Sequence, residues 1–184
     1  MILEVVEYPD PVLSKPARRV GGGEAGGLKQ LYRDMVETME EYRGIGLAAP
    51  QIGRSIRFMI AHDTESGKTR AFVNPQVVTA SAECDVRGEG CLSFPGQFAD
   101  IERHASIRLK YQDLELEKHE EDFAGFFARV IQHELDHLNG VLLPDRAIDG
   151  LYEPEPEEEG EGADDAATPA GVVPERPNLA PEES

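Results

Sequence analysis

The segment from Asp122 to Leu138 constrains the fold more than any other. Phe123, Phe126, Phe127, Val130, Ile131, Leu135 and Leu138 cover more than one side of a helix there, so that helix must be buried. Its second half reads His133-Glu134-Leu135-Asp136-His137. Polar and ionisable side chains in the middle of a buried helix are costly unless they are used. Two histidines four residues apart lie on one face, one turn apart, where both imidazoles can reach a single metal ion. Glu134, beside the first of them, can then hold a water activated by that ion and accept its proton. Asp122 is expected as the N-cap of this helix, and Gly140 as the residue that ends it.

Two histidines leave a catalytic metal site incomplete, because such sites usually have three protein ligands and an open position. Nothing downstream serves. In the protease pattern His-Glu-x-x-His-x-x-Gly-x-x-His, Leu143 stands where the third histidine belongs. Glutamates after the helix begin only at Glu153, in a segment too polar to scaffold a ligand. Upstream, the best candidate is Cys91, flanked by glycine and proline in Gly88-Glu89-Gly90-Cys91-Leu92-Ser93-Phe94-Pro95-Gly96. Those neighbours place it on a shaped loop or a strand end, and a thiolate suits a divalent transition metal. Cys84 reads as a small buried apolar residue. Two cysteines do not make a disulfide framework.

The remaining chain reads as scaffold. Leu28, Leu31, Tyr32, Met35, Met39 and Tyr42 form one apolar stripe, which predicts a helix over 28–42 packed on a core. Residues 1–27 are irregular, with YPDPVLSKP rich in turns and GGGEAGG a hinge or loop. Between 53 and 116 lie strands and loops: IRFMIAH, then AFVNPQVV interrupted at Asn74-Pro75, then ASIRLKYQDLELE. In the last, Ile107, Leu109 and Tyr111, followed by Leu114 and Leu116, alternate as in a half-buried strand or hairpin.

The length of 184 residues allows one domain with a proper core. The net charge of −18 is uneven: residues 150–184 hold 11 acidic residues, one Arg and six of the 13 prolines. That composition predicts a disordered acidic tail after a catalytic domain at 1–149. An acidic surface leaves no basic footprint for nucleic acid. No run is long enough to span a bilayer. The start of the chain has no secretory pattern, so a cytoplasmic location is expected.

Three segments, in order, resemble the signature motifs of peptide deformylases: Gly44-Ile45-Gly46-Leu47-Ala48-Ala49-Pro50-Gln51, Glu89-Gly90-Cys91-Leu92-Ser93, and Gln132-His133-Glu134-Leu135-Asp136-His137-Leu138-Asn139-Gly140. The resemblance runs from about Leu3 to Arg146. It implies an α+β fold, with antiparallel strands around the helix bearing His133 and His137 and the Leu28 helix outside. It implies removal of the formyl group from N-formylmethionine on nascent polypeptides, with only transient contact with the ribosome. Cys91, His133 and His137 would hold one divalent ion, Fe2+ by the resemblance, with Zn2+, Ni2+ or Co2+ as substitutes. Glu134 would be the proton carrier. The Gln51 amide and the Leu92 backbone N–H would meet the developing oxyanion. Gly46 would let the substrate backbone approach, and Ile45, Phe126 and Val130, with the His133 ring, would line the methionine pocket. Glu89 and Arg103 match a structural ion pair in relatives. Two departures stand out. Arg87 and Arg129 fall at pocket positions that are apolar in some members, and an inward Arg129 would weaken methionine preference. The acidic, proline-rich tail is also unsuited to the ribosome docking that a basic C-terminal helix performs in some relatives. Two other readings carry less: a zincin-type peptidase fails at Leu143, and a binding-only relative would not need Glu134, Gln51 and all three ligands.

Overall fold

The computed structural model describes residues 1–154, so most of the expected tail, from 155 to 184, lies outside the described residues. The described chain is α+β. Its elements are α1 (Ala25–Glu41), β1 (Gly46–Ala48), β2 (Phe58–Asp63), β3 (Lys68–Ala80), β4 (Cys84–Cys91), β5 (Phe94–His104), β6 (Ser106–Gln112), β7 (Lys118–Ala124), α2 (Gly125–Leu138) and the single turn α3 (Leu143–Arg146). A five-stranded antiparallel sheet has the order β1-β2-β3-β6-β7, and β4 and β5 form a separate two-stranded ribbon.

Side-chain alternation on β2 explains why both helices are needed. Met59 and Ala61 face one way, into a cluster with Phe72, Leu109, Phe123 and the α2 residues Val130, Ile131, Leu135 and Leu138. Phe58 and Ile60 face the other way, into a cluster with Leu47, Val73 and the α1 residues Leu28, Leu31, Met35 and Met39. A strand covered on both faces reads as a continuous apolar run, which is what FMIA is. The far side of α2 meets the ribbon through polar links: Gln132 Nε2 donates to the His104 carbonyl at 2.9 Å, and Arg103 Nη1 reaches Asp136 Oδ2 at 2.6 Å. A third cluster, with Leu13, Cys91, Phe94, Ile101, Leu142 and Leu143, lies under the ribbon.

Several sequence expectations shift. Asp122 is not an N-cap: it lies in β7 opposite Arg108, whose Nη1 it accepts at 2.9 Å, and Ala124 caps α2. Ladder pairing with β6 runs on to Ala124, and Gly125, at φ 63°, makes the turn into the helix. GGGEAGG is not a hinge. Glu24 accepts Arg18 and the Gly21 N–H at 2.8 to 2.9 Å, so a short 3-10 turn leads straight into α1. β3 is one strand with a bulge between Val73 and Gln76, where Asn74 takes φ 50° and pairs with both backbone groups of Val20. ASIRLKYQDLELE is the first arm and turn of the β6–β7 hairpin. Cys84 is exposed rather than buried, because it ends the ribbon at its open edge opposite His104. Both cysteines are free. Leu151 and Tyr152, which the sequence reading placed in the tail, lie against the ribbon.

Candidate metal centre

β4 and α2 supply the donors. Cys91 closes β4 just after a shift in the ladder register, a device that re-aims a side chain. Its Sγ lies 3.2 Å from His137 Nε2. Ligand atoms of Cys91, His133 and His137 all fall within 4.8 Å of one another. Metal–sulfur and metal–nitrogen bonds of about 2.3 and 2.0–2.1 Å put tetrahedral donors roughly 3.5 Å apart, so this set fits one ion. Burial alone would raise the Cys91 thiol, but the charge of His137 and hydrogen bonds with both histidines outweigh it and hold the thiol at about 5. The sulfur is therefore a thiolate at neutral pH, the form a metal binds.

His133 is aimed by Glu89. Its Nδ1–H donates to Glu89 Oε2 at 2.8 Å, which leaves Nε2 as the ring's ligand atom. The expected Glu89–Arg103 pair is present, at 3.0 and 2.9 Å. Glu89 does more than that pair implies, since it also takes Arg129 Nη1 at 2.8 Å. Burial would raise its carboxyl; His133 and Arg103 outweigh that and hold it well below the usual carboxylate range. Arg103 continues to Asp136, which also accepts Arg146 at 2.8 and 3.1 Å. The orienting role of Glu89 is a residue function that the sequence reading missed. Its available signal was the rule that a metal-ligating histidine gives its other N–H to a carboxylate or carbonyl. Replacing Glu89 with Gln should cost roughly 1–3 kcal/mol of stability, because two buried arginines lose a shared carboxylate and keep only Asp136 and Asp85 as partners. Denaturant titration measures this, and a wild-type midpoint and slope would contradict it.

Glu134 is 4% exposed, and its Oε2 has no hydrogen-bond partner among the described residues. Burial raises its carboxyl to about 7, against the opposing pull of His133 and His137. A proton acceptor tuned near neutrality is what general base catalysis at pH 7 needs. Gly46 packs directly on it: a Cβ there would fall 2.3 Å from Glu134 Oε1. The glycine is thus required by the carboxylate, whatever else approaches it.

Gln51 is held from both ends. Its Oε1 accepts the Ala48 N–H at 2.9 Å, and its Nε2 faces Ser93 Oγ at 3.4 Å and Cys91 Sγ at 3.6 Å. The Ser93 hydroxyl in turn donates to the Val6 carbonyl at 2.8 Å. One pocket is lined by Gln51, Cys91, Leu92, His133 and Glu134 together with Ile45, Gly46, Phe126 and Val130. Of the expected ligands, oxyanion donors and apolar pocket residues, only His137 lies outside its lining, in contact with Cys91. Arg129 lines the pocket too, yet its guanidinium is tied to Glu89, to the Ile101 carbonyl and to Asp85 at 2.8 to 3.0 Å. Arg87 is exposed and paired with Asp85 at 2.8 Å, outside the pocket.

A three-donor metal cluster beside a buried, near-neutral carboxylate defines a metal-dependent hydrolase. The polypeptide deformylase family model matches residues 2–151. The peptide deformylase of Thermotoga maritima is 48% identical over 139 residues, 76% of this chain and 83% of the relative. Its crystal structure superposes with a TM-score of 0.76, covering 80% of this chain and 98% of that one at 44% identity. A class I type b peptide deformylase from Acinetobacter baumannii bound to Met-Ala-Ser has a TM-score of 0.75 at 35% identity, covering 79% and 98%. The chain belongs to the peptide deformylase family, enzymes that remove the formyl group from N-formylmethionine of polypeptides.

Proposed function

We propose that deformylation by this chain runs through a Cys91–His133–His137 metal centre on α2 and β4, with Glu134 as the proton carrier. The observation that carries this reading is the convergence of the donors, Glu134 and the Gln51 amide on one pocket. A divalent ion held there supplies a Lewis acid and a water of lowered pKa. Glu134 accepts the proton of the attacking water as its oxygen bonds to the formyl carbon. Glu134 then delivers a proton to the amine nitrogen as the C–N bond breaks, leaving formate and a free N-terminus. Gln51 Nε2 and the Leu92 N–H donate to the oxygen that gains charge, and the Gln51 amide is held through its Oε1 before the reaction begins. Glu89 keeps the His133 ring in its ligand orientation.

Substrate fit follows from the lining. Ile45, Phe126 and Val130 offer an apolar slot for the methionine side chain. Arg129 contributes its stem, because its charge is spent on Glu89 and Asp85, so methionine preference is retained. Gly46 on β1, an edge strand, lets the peptide backbone lie alongside as an added strand. A relative of the same fold is bound to Met-Ala-Ser, a peptide that begins with the residue this slot would take. The ion is Fe2+ in the cell, with Zn2+, Ni2+ or Co2+ able to replace it. The work is cytoplasmic, on nascent chains, with brief contact with the ribosome. The catalytic domain is the unit that acts, and the acidic segment beyond residue 154 is dispensable for turnover.

Formate release from a formyl-Met peptide, measured with metal content on the same sample, tests the proposal; a metal-loaded but inert protein would refute it. Gln51→Ala should keep the metal and lose about 10²–10³-fold in kcat, the usual cost of one oxyanion donor. A variant with unchanged kcat would remove Gln51 from the mechanism.

A further inference from the structure

The segment after α3 returns along the outer edge of β5. Ile148 N–H donates to the Asp100 carbonyl at 3.0 Å. Tyr152 and Phe98 exchange both backbone hydrogen bonds at 2.8 Å, as an antiparallel bridge does. Their rings stack at 6.3 Å, and Tyr152 Oη donates to Asp100 Oδ1 at 3.1 Å. Leu151 packs in the cluster that contains Cys91.

Across β5 from this strap lies the end of β4 that carries Glu89 and Cys91. Phe98 is the Cα partner of Gly90, and Ala99 is the partner of Glu89. The Phe98 ring presses so closely on Gly90 that a Cβ there would stand 2.7 Å from Cε1. Gly90 separates the residue that aims His133 from Cys91. Among the described residues the ribbon has two strands, and two-stranded ribbons are marginal unless packed or extended.

We propose that Tyr152 is a positioning residue: by extending the ribbon and backing Phe98, it holds Glu89-Gly90-Cys91 in register and keeps the metal bound. This rests on the reading of Cys91 as a ligand. Loss of the strap loosens the ribbon locally, and the ion leaves faster, while the sheet and α2 stay as they are.

The test uses the full chain loaded with Zn2+, as wild type and as Tyr152→Ala, Tyr152→Pro and Tyr152→Phe. Two quantities are read: the rate of Zn2+ loss to a chelator, and amide hydrogen exchange by region. Tyr152→Ala should release Zn2+ about tenfold faster, the lower end of what outer-shell changes cost. Tyr152→Pro, which also removes the N–H donated to Phe98, should release it faster still. Tyr152→Phe, which keeps the ring and the pairing, should restore retention. Faster exchange should be confined to 84–104. Unchanged Zn2+ loss in both the Ala and Pro variants overturns the inference, even if the ribbon exchanges faster. So does acceleration spread evenly over the chain, which would make the strap a general stabiliser. Cys91→Ala is run alongside: if it holds Zn2+ as the wild type does, the ligand reading fails instead.

Discussion

Glu134→Gln is expected to keep the fold and the bound metal and to lose about 10²–10⁴-fold in kcat, the usual cost of removing a general acid–base group. The side chain adjoins His133 on α2 but is not one of the three clustered donors. Its Oε2 is buried without a partner among the described residues, and the amide has the same shape. What the amide lacks is the ability to take a proton from water and hand it to the leaving nitrogen. kcat on a formyl-Met peptide should be compared with metal content on the same preparation. Near-normal kcat in the loaded variant would sink the mechanism. Loss of metal would instead make Glu134 a ligand or a support for one.

The second large effect is expected at Cys91. Cys91→Ala leaves two histidine ligands for the ion, and a catalytic site of this kind needs three. Metal should fall to trace levels on dialysis and turnover should disappear with it. Elemental analysis decides, and full occupancy in this variant would place the third ligand elsewhere. The same substitution removes a buried sulfur from the cluster with Leu13, Phe94 and Ile101, so far-UV circular dichroism of the variant separates lost metal from lost fold.

How far the site was legible depended on where each signal lies. Helix-borne features were readable, because His133 and His137 share a face by spacing alone and α1 carries an unbroken apolar stripe. Cys91 was reachable by elimination, and the three motifs in order fixed the family resemblance. The β4–β5 ribbon was not legible as a ribbon. CDVRGEGC has no apolar alternation, because its buried positions are Glu89, Gly90 and Cys91, held by ion pairs and close packing rather than by a hydrophobic face. Asp122 misled for a related reason: local capping chemistry was right in type, but long-range pairing with Arg108 across β6 and β7 claimed the residue. The hub at Glu89 joins Arg103, Arg129 and His133 from two other elements. Such a convergence has no spacing to read, only a topology.

The donors themselves carry one more consequence. Cys91 and His137 are 46 residues apart, on a ribbon and a helix joined mainly by polar and charged links. An ion gripped by both is a clasp that closes a long loop, as well as a reagent. Binding to the folded chain alone adds its free energy to folding. Metal supply would therefore govern how long each molecule survives as well as how fast it works, and a molecule that loses its ion loses part of its architecture with it.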